Sequence, residues 1–147
     1  TPGFSSKPDL YPEFVSRCFL FTTKGLTFLD HTERLKYAGT PEDDIRNNPP
    51  WVQVYYPLGS EHAGSRDRFT HPAIGTVSRD RRYLTAIACE KPESLSQMWH
   101  DCMHNNPGWL PVGAPPEEQT WRLRIYAMEN DPNALLRCVA HDFPGMG

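Results

Sequence analysis

The chain lacks the apolar run of about eighteen residues that a membrane-spanning helix needs, so no span is expected and the protein reads as soluble. It lacks an excess of positive charge. With 15 Lys and Arg against 18 Asp and Glu, the net charge is −3, which gives no general attraction to phosphate backbones and disfavours nucleic acid as a partner. There is no glycine-rich phosphate loop, no G-x-S-x-G nucleophile elbow and no H-E-x-x-H zinc-protease pattern. The four cysteines, Cys18, Cys89, Cys102 and Cys138, contain no C-x-x-C pair and fall in expected strands or helices. They read as mostly buried free thiols, with the even count leaving disulfides open.

Proline is abundant, at 15 residues, and aromatic side chains make up 12%, with four Trp, six Tyr and seven Phe. Fixed loops around an aromatic-rich core follow, and the regular spacing of apolar segments argues against disorder. A chain of 147 residues is enough for one domain with a real core. Residues 1–12, which carry Pro2, Gly3, Pro8 and Pro12, read as an extended N-terminal arm of that single 1–147 unit. The start at Thr1, without Met or a charged-then-apolar leader, is what a processed chain or an excised domain would show, and the compartment is left open.

Along the chain, Phe14 to Thr23 is rich in aromatic and β-branched residues and is expected to be a strand, with Lys24-Gly25 turning it into a short partner over Leu26 to Leu29. Capping patterns predict short helices over His31 to Ala38 and from Thr40-Pro41 to about Asn47. Trp51 to Tyr56 follows as a strand. Leu58 to Pro72 has no periodicity and reads as a long polar loop of the kind that often carries function. Ile74 to Ser78 and Tyr83 to Cys89 form an expected hairpin. Thr120 to Met128 alternates, with Trp121, Leu123, Ile125 and Ala127 assigned to the inward row. Asp131-Pro132 starts a last helix to about Asp142, packed through Leu135, Leu136, Cys138, Val139 and Phe143.

The stretch from Glu93 to Trp109 carries the strongest helical pattern. Leu95, Met98, Trp99, Cys102 and Met103 make one apolar stripe, Ser94 and Gln97 form a capping box, and Pro107 stops the helix near His104. On its other side His100 and His104 would stack at i and i+4 beside Gln97 and Asp101. The expected fold class is α+β: a mainly antiparallel sheet of five or six strands with two or three helices packed on it. The alternative is a β-sandwich with peripheral helices. Trp99 and Trp121 are both expected in a shared core.

Two segments share the form N-N-P-x-W, at Asn47 to Trp51 and Asn105 to Trp109. Both serve as helix stops, or their amides and indoles line a cleft suited to polyhydroxylated ligands. Three functions follow. The first is a small ligand-binding, carbohydrate-associated domain. Its cleft joins the 58–72 loop, with His62, Arg66, Arg68 and His71, to the 97–109 region, with Gln97, His100, Asp101, His104, Asn105, Asn106 and Trp109. The second is a metal-dependent hydrolase or lyase that holds a divalent ion such as zinc on His100 and His104, with a third ligand from His62, His71 or His141. The third is a structural or partner-binding module without catalysis, which an exposed apolar patch and a stable oligomer would favour. A pair of Cys89 or Cys102 with a histidine is also chemically open, although sequence cannot place the two in contact.

Overall fold

Cys-Phe-Leu-Phe-Thr, β1 (Cys18–Thr22), is buried at all five positions, as a strand is when other layers cover both of its faces. It pairs antiparallel with β2 (Gly25–Phe28), and Gly25, at φ +90, takes the left-handed conformation the tight turn needs. The structure, a computed structural model, describes residues 11–32, 34–36, 51–55, 62–65, 67–97, 102–107 and 120–146. The expected first strand is shorter than its apolar run, because α1 (Tyr11–Val15) precedes it. The buried Arg17 ends that helix: its guanidinium donates to Val77 O at 2.6 Å and to Glu13 Oε1 at 2.7 Å.

Two five-stranded sheets are built among the described residues. The first has the order β10-β7-β6-β1-β2, with β6 (Phe69–Val77), β7 (Tyr83–Cys89) and β10 (Leu123–Glu129), and is antiparallel throughout. The second has the order β3-β5-β4-β8-β9: β3 (Arg34–Lys36), β4 (Trp51–Tyr55), β5 (His62–Ser65), β8 (Pro92–Gln97) and β9 (Met103–Pro107). Its one parallel pair is β4 with β8. The class is thus α+β and sheet-rich, mostly antiparallel, with ten strands in two sheets where one sheet of five or six was expected.

Strand alternation sorts the core into two halves. Cys18 and Leu20 of β1 and Ile74 of β6 face Leu95 of β8, and this cluster, with Phe14, Val15, Leu29 and Phe69, lies between the sheets. Phe19 and Phe21 of β1, Ala73 and Val77 of β6, and Leu84, Ala86 and Ala88 of β7 point to the opposite face. There they pack on Leu135, Val139 and Phe143 of α2 (Pro132–Asp142) and its C-cap. Gly75 permits this packing: a Cβ there would lie 2.6 Å from Phe19 Cζ and 2.9 Å from Thr85 O. The helix starts where the sequence predicts. Asp131 Oδ1 accepts from Ala134 N at 3.0 Å, and Pro132 occupies the first turn. Among the described residues no helix is long and apolar enough to cross a membrane.

Several expectations are overturned. The helix over Glu93 to His104 does not form: Pro92–Gln97 and Met103–Pro107 are antiparallel strands, with Leu95 opposite Asn105 and Ser96 opposite His104. Burial of Leu95 and Gln97 against the first sheet, at 0% exposure each, outweighs the local helical pattern. The helix over His31 to Ala38 is replaced by a 3-10 turn at Leu29–His31 and by β3. The long loop over 58–72 contains β5 and the start of β6. The inward row of β10 is reversed, since Leu123 and Ile125 are exposed while Tyr126 and Met128 pack toward α2. Trp121 is 43% exposed and is not a core residue. Trp99 and the helix expected over 40–47 lie outside the described residues.

Candidate functional site

The period of two in β9 divides its side chains between two surroundings. Met103 and Asn105 turn toward the first sheet, where Met103 joins the inter-sheet core. Asn105 is a bridge between sheets: its amide nitrogen donates to Pro72 O at 2.7 Å and, at 3.5 Å, to Ile87 O. Its amide oxygen accepts from Cys89 Sγ at 2.6 Å. Three partners on two strands of the other sheet make this a structural amide, and burial pushes the Cys89 thiol up to about 11.

His104 and Asn106 take the opposite, outer face of β9. Asn106 Nδ2 donates to Ser94 Oγ at 3.0 Å and to Ser96 Oγ at 3.1 Å, both on β8 and both buried. Both amide hydrogens are thereby engaged and the carbonyl oxygen is the acceptor end. His104 Nε2 lies 3.0 Å from Sγ of Cys102, which immediately precedes β9. Cys102, His104 and Asn106 are each half-buried. Thiol, imidazole and amide therefore stand in one row, two residues apart, beside two serine hydroxyls.

The other sequence-derived candidates among the described residues stand elsewhere in the fold. Arg68 Nη1 donates to the carbonyls of Ser65 and Asp67, each at 3.1 Å. The buried Asp67 pairs with Lys24 Nζ at 2.6 Å, so the β5–β6 junction ties one sheet to the β1–β2 turn of the other. His71 stands on β6, with Nδ1 3.0 Å from Thr70 Oγ1 and its ring against Phe21 at 5.7 Å between centroids. Gln97 is fully buried on β8. His62, on β5, stands opposite Tyr55 of β4 in the strand register. His141 is exposed on α2, 3.1 Å from Asp142 Oδ1. Arg66, His100, Asp101 and Trp109 lie outside the described residues. Because His104 sits in a strand, the helical stacking of His100 over it is overturned, and among the described residues no group of three His, Cys, Asp or Glu could hold a metal ion.

A second surface was missed by sequence. Among the described residues β10 ends the first sheet, and on its face away from α2 it exposes Leu123 by 48% and Ile125 by 73%, in line with Trp121. A hollow of about 440 Å³ bounded by Glu90, Lys91, Thr120 and Trp121 opens beside this row. Arg122 pairs with Glu90 at 3.2 Å, and this contact holds the Glu90 carboxyl below the usual carboxylate range. Around Tyr126, on the helix side, the hydroxyl donates to Asp142 Oδ2 at 2.9 Å, and burial followed by that bond raises its pKa. The signal available in the sequence was the strict alternation itself, which fixes two rows but not which one faces inward. No family model, no curated protein and no solved structure matches this chain.

Proposed function

We propose that this domain is a partner-binding module and that the partner is a second copy of the chain, added edge to edge along β10. The observation that carries this reading is the exposure of Leu123 and Ile125 on a seven-residue strand that is an edge among the described residues, with the exposed Trp121 just before it. A long apolar edge of this kind is a template for pairing with another strand, and natural proteins that keep their edges solitary blunt them. Antiparallel pairing about a two-fold axis at Ile125 sets Ile125 against itself, Leu123 against Ala127, and Arg124 against Tyr126 of the other copy. No like charges meet directly in that register. Each Arg124 then approaches the Tyr126–Asp142 pair of its partner, an acidic counterpart to its charge.

Light scattering over a wide concentration range tests this. The wild-type chain is expected to be a dimer, and Ile125→Lys is expected to be a monomer with an unchanged denaturant midpoint, since the replaced side chain is mostly exposed. A wild-type chain that stays monomeric at all concentrations would overturn it.

A second reading has its own support. The row of Cys102, His104 and Asn106 presents a thiol, an imidazole and an amide carbonyl on a partly accessible face, polar groups of the kind a small polar ligand or glycan requires. A glycan array with a tryptophan-fluorescence titration tests it, and silence across neutral and acidic sugars removes it.

A further inference from the structure

None of the four cysteines is in a disulfide, and their surroundings sort them by chemistry. Cys18 is fully buried between the sheets, and burial pushes its thiol up to about 12. Cys89 is buried and donates to Asn105, with its thiol pushed up to about 11. Both are locked in the protonated, unreactive form. Cys138 is exposed on α2. Cys102 differs from all three: it is half-buried just before β9, and its sulfur is 3.0 Å from the Nε2 of His104. That separation is within reach of direct proton transfer.

We propose that Cys102 and His104 form a thiol–imidazole pair that makes Cys102 the site of covalent modification by soft electrophiles such as alkylating agents. This goes beyond the dimer and does not depend on it. The thiol proton passes to His104 Nε2, and the resulting thiolate is held beside an imidazolium. Its sulfur attacks the electrophilic carbon. With an alkyl halide, the S–C bond forms as the carbon–halogen bond breaks, halide leaves with the bonding pair, and the proton is lost from His104 to water. The described charged and titratable groups across the inter-sheet space include Cys18, close enough to feel a charge on Cys102, and around it Arg17 and Asp30. Cys18 stays neutral, and Arg17 and Asp30 are of opposite sign, while His104 at 3.0 Å is the base that the geometry offers to Cys102.

The test is alkylation of the wild-type chain by iodoacetamide across a pH series, each cysteine followed by peptide mass spectrometry. At about pH 6 Cys102 is expected to react about tenfold faster than the more exposed Cys138, while Cys18 and Cys89 stay protected. His104→Gln, which keeps a polar group but cannot take a charge, is expected to remove that advantage. Equal or slower labelling of Cys102 below about pH 7, or an unchanged rate in His104→Gln, would overturn the proposal. Labelling of Cys18 and Cys89 in the variant would show that it has opened. The wild-type profile then decides: a plateau of Cys102 reactivity at low pH supports the pair, and a single rise parallel to Cys138 refutes it.

Discussion

Replacing Asn105 by Ala tests whether this amide serves the fold or a ligand. The substitution removes the donor to Pro72 O at 2.7 Å and the acceptor of the Cys89 thiol at 2.6 Å, and it leaves both partners facing the inter-sheet space. A buried carbonyl stripped of its partner costs about 1–3 kcal/mol, and a thiol, a weak donor, falls at the low end of that range. The 3.5 Å contact to Ile87 O adds little. Half-burial of β9 admits some water, so the expected loss is about 2 kcal/mol. With a urea slope of about 1–3 kcal/mol/M for a domain of this kind, the midpoint should fall by about 1 M. Asn105→Asp should cost more, because a carboxylate cannot donate to Pro72 O and presents lone pairs to it. Urea unfolding followed by tryptophan fluorescence measures both. A midpoint for Asn105→Ala within about 0.3 M of wild type would mean that β9 is not held to the first sheet through this side chain.

Leu135→Ala, at a fully buried position of α2, should cost about 2–5 kcal/mol, whereas Trp121→Ala, at a 43% exposed position, should cost under about 1 kcal/mol. Comparable losses in the same urea assay would show that the core has been assigned to the wrong face of β10. Asp142 is held below the usual carboxylate range by hydrogen bonds from His141 and then Tyr126. A depressed folded-state value stabilises above the unfolded value of about 3.9 and loses that contribution as pH falls through the folded one. Thermal unfolding of Asp142→Asn should therefore depend less steeply on pH below about 4 than wild type, and parallel profiles would refute the coupling.

The parts of the fold that were legible are those whose local chemistry admits one answer. Gly25 after Lys24 demands a turn, and Asp131-Pro132 demands a helix start; both stand where expected. The hairpin of β6 and β7 is likewise given by two β-branched runs around a polar link. Failures came where tertiary burial chose between local options. Strict alternation in β10 defines two rows, but the short connection through Asn130 and Asp131 folds α2 back on the row of Tyr126 and Met128. That choice follows from chain direction and is invisible in hydropathy, because the opposite row is the more apolar one.

The candidate site moved for a related reason, and the change of period alters its chemistry. In a helix the neighbours of His104 are three and four positions away, which selects His100 and suggests a metal. In a strand they are two positions away, which selects Cys102 and Asn106 and brings thiol to imidazole at 3.0 Å. Leu95, Cys102 and Met103 fit a helical stripe, yet Leu95 and Met103 also fit the inward rows of two paired strands, and that arrangement buries Leu95 and Gln97 completely. Ser94, Ser96 and Asn106 supply a cross-strand polar network that a helix of the same residues could not make. The same residues thus encode either a dihistidine face or a cysteine–histidine row, and packing against the first sheet selects the second.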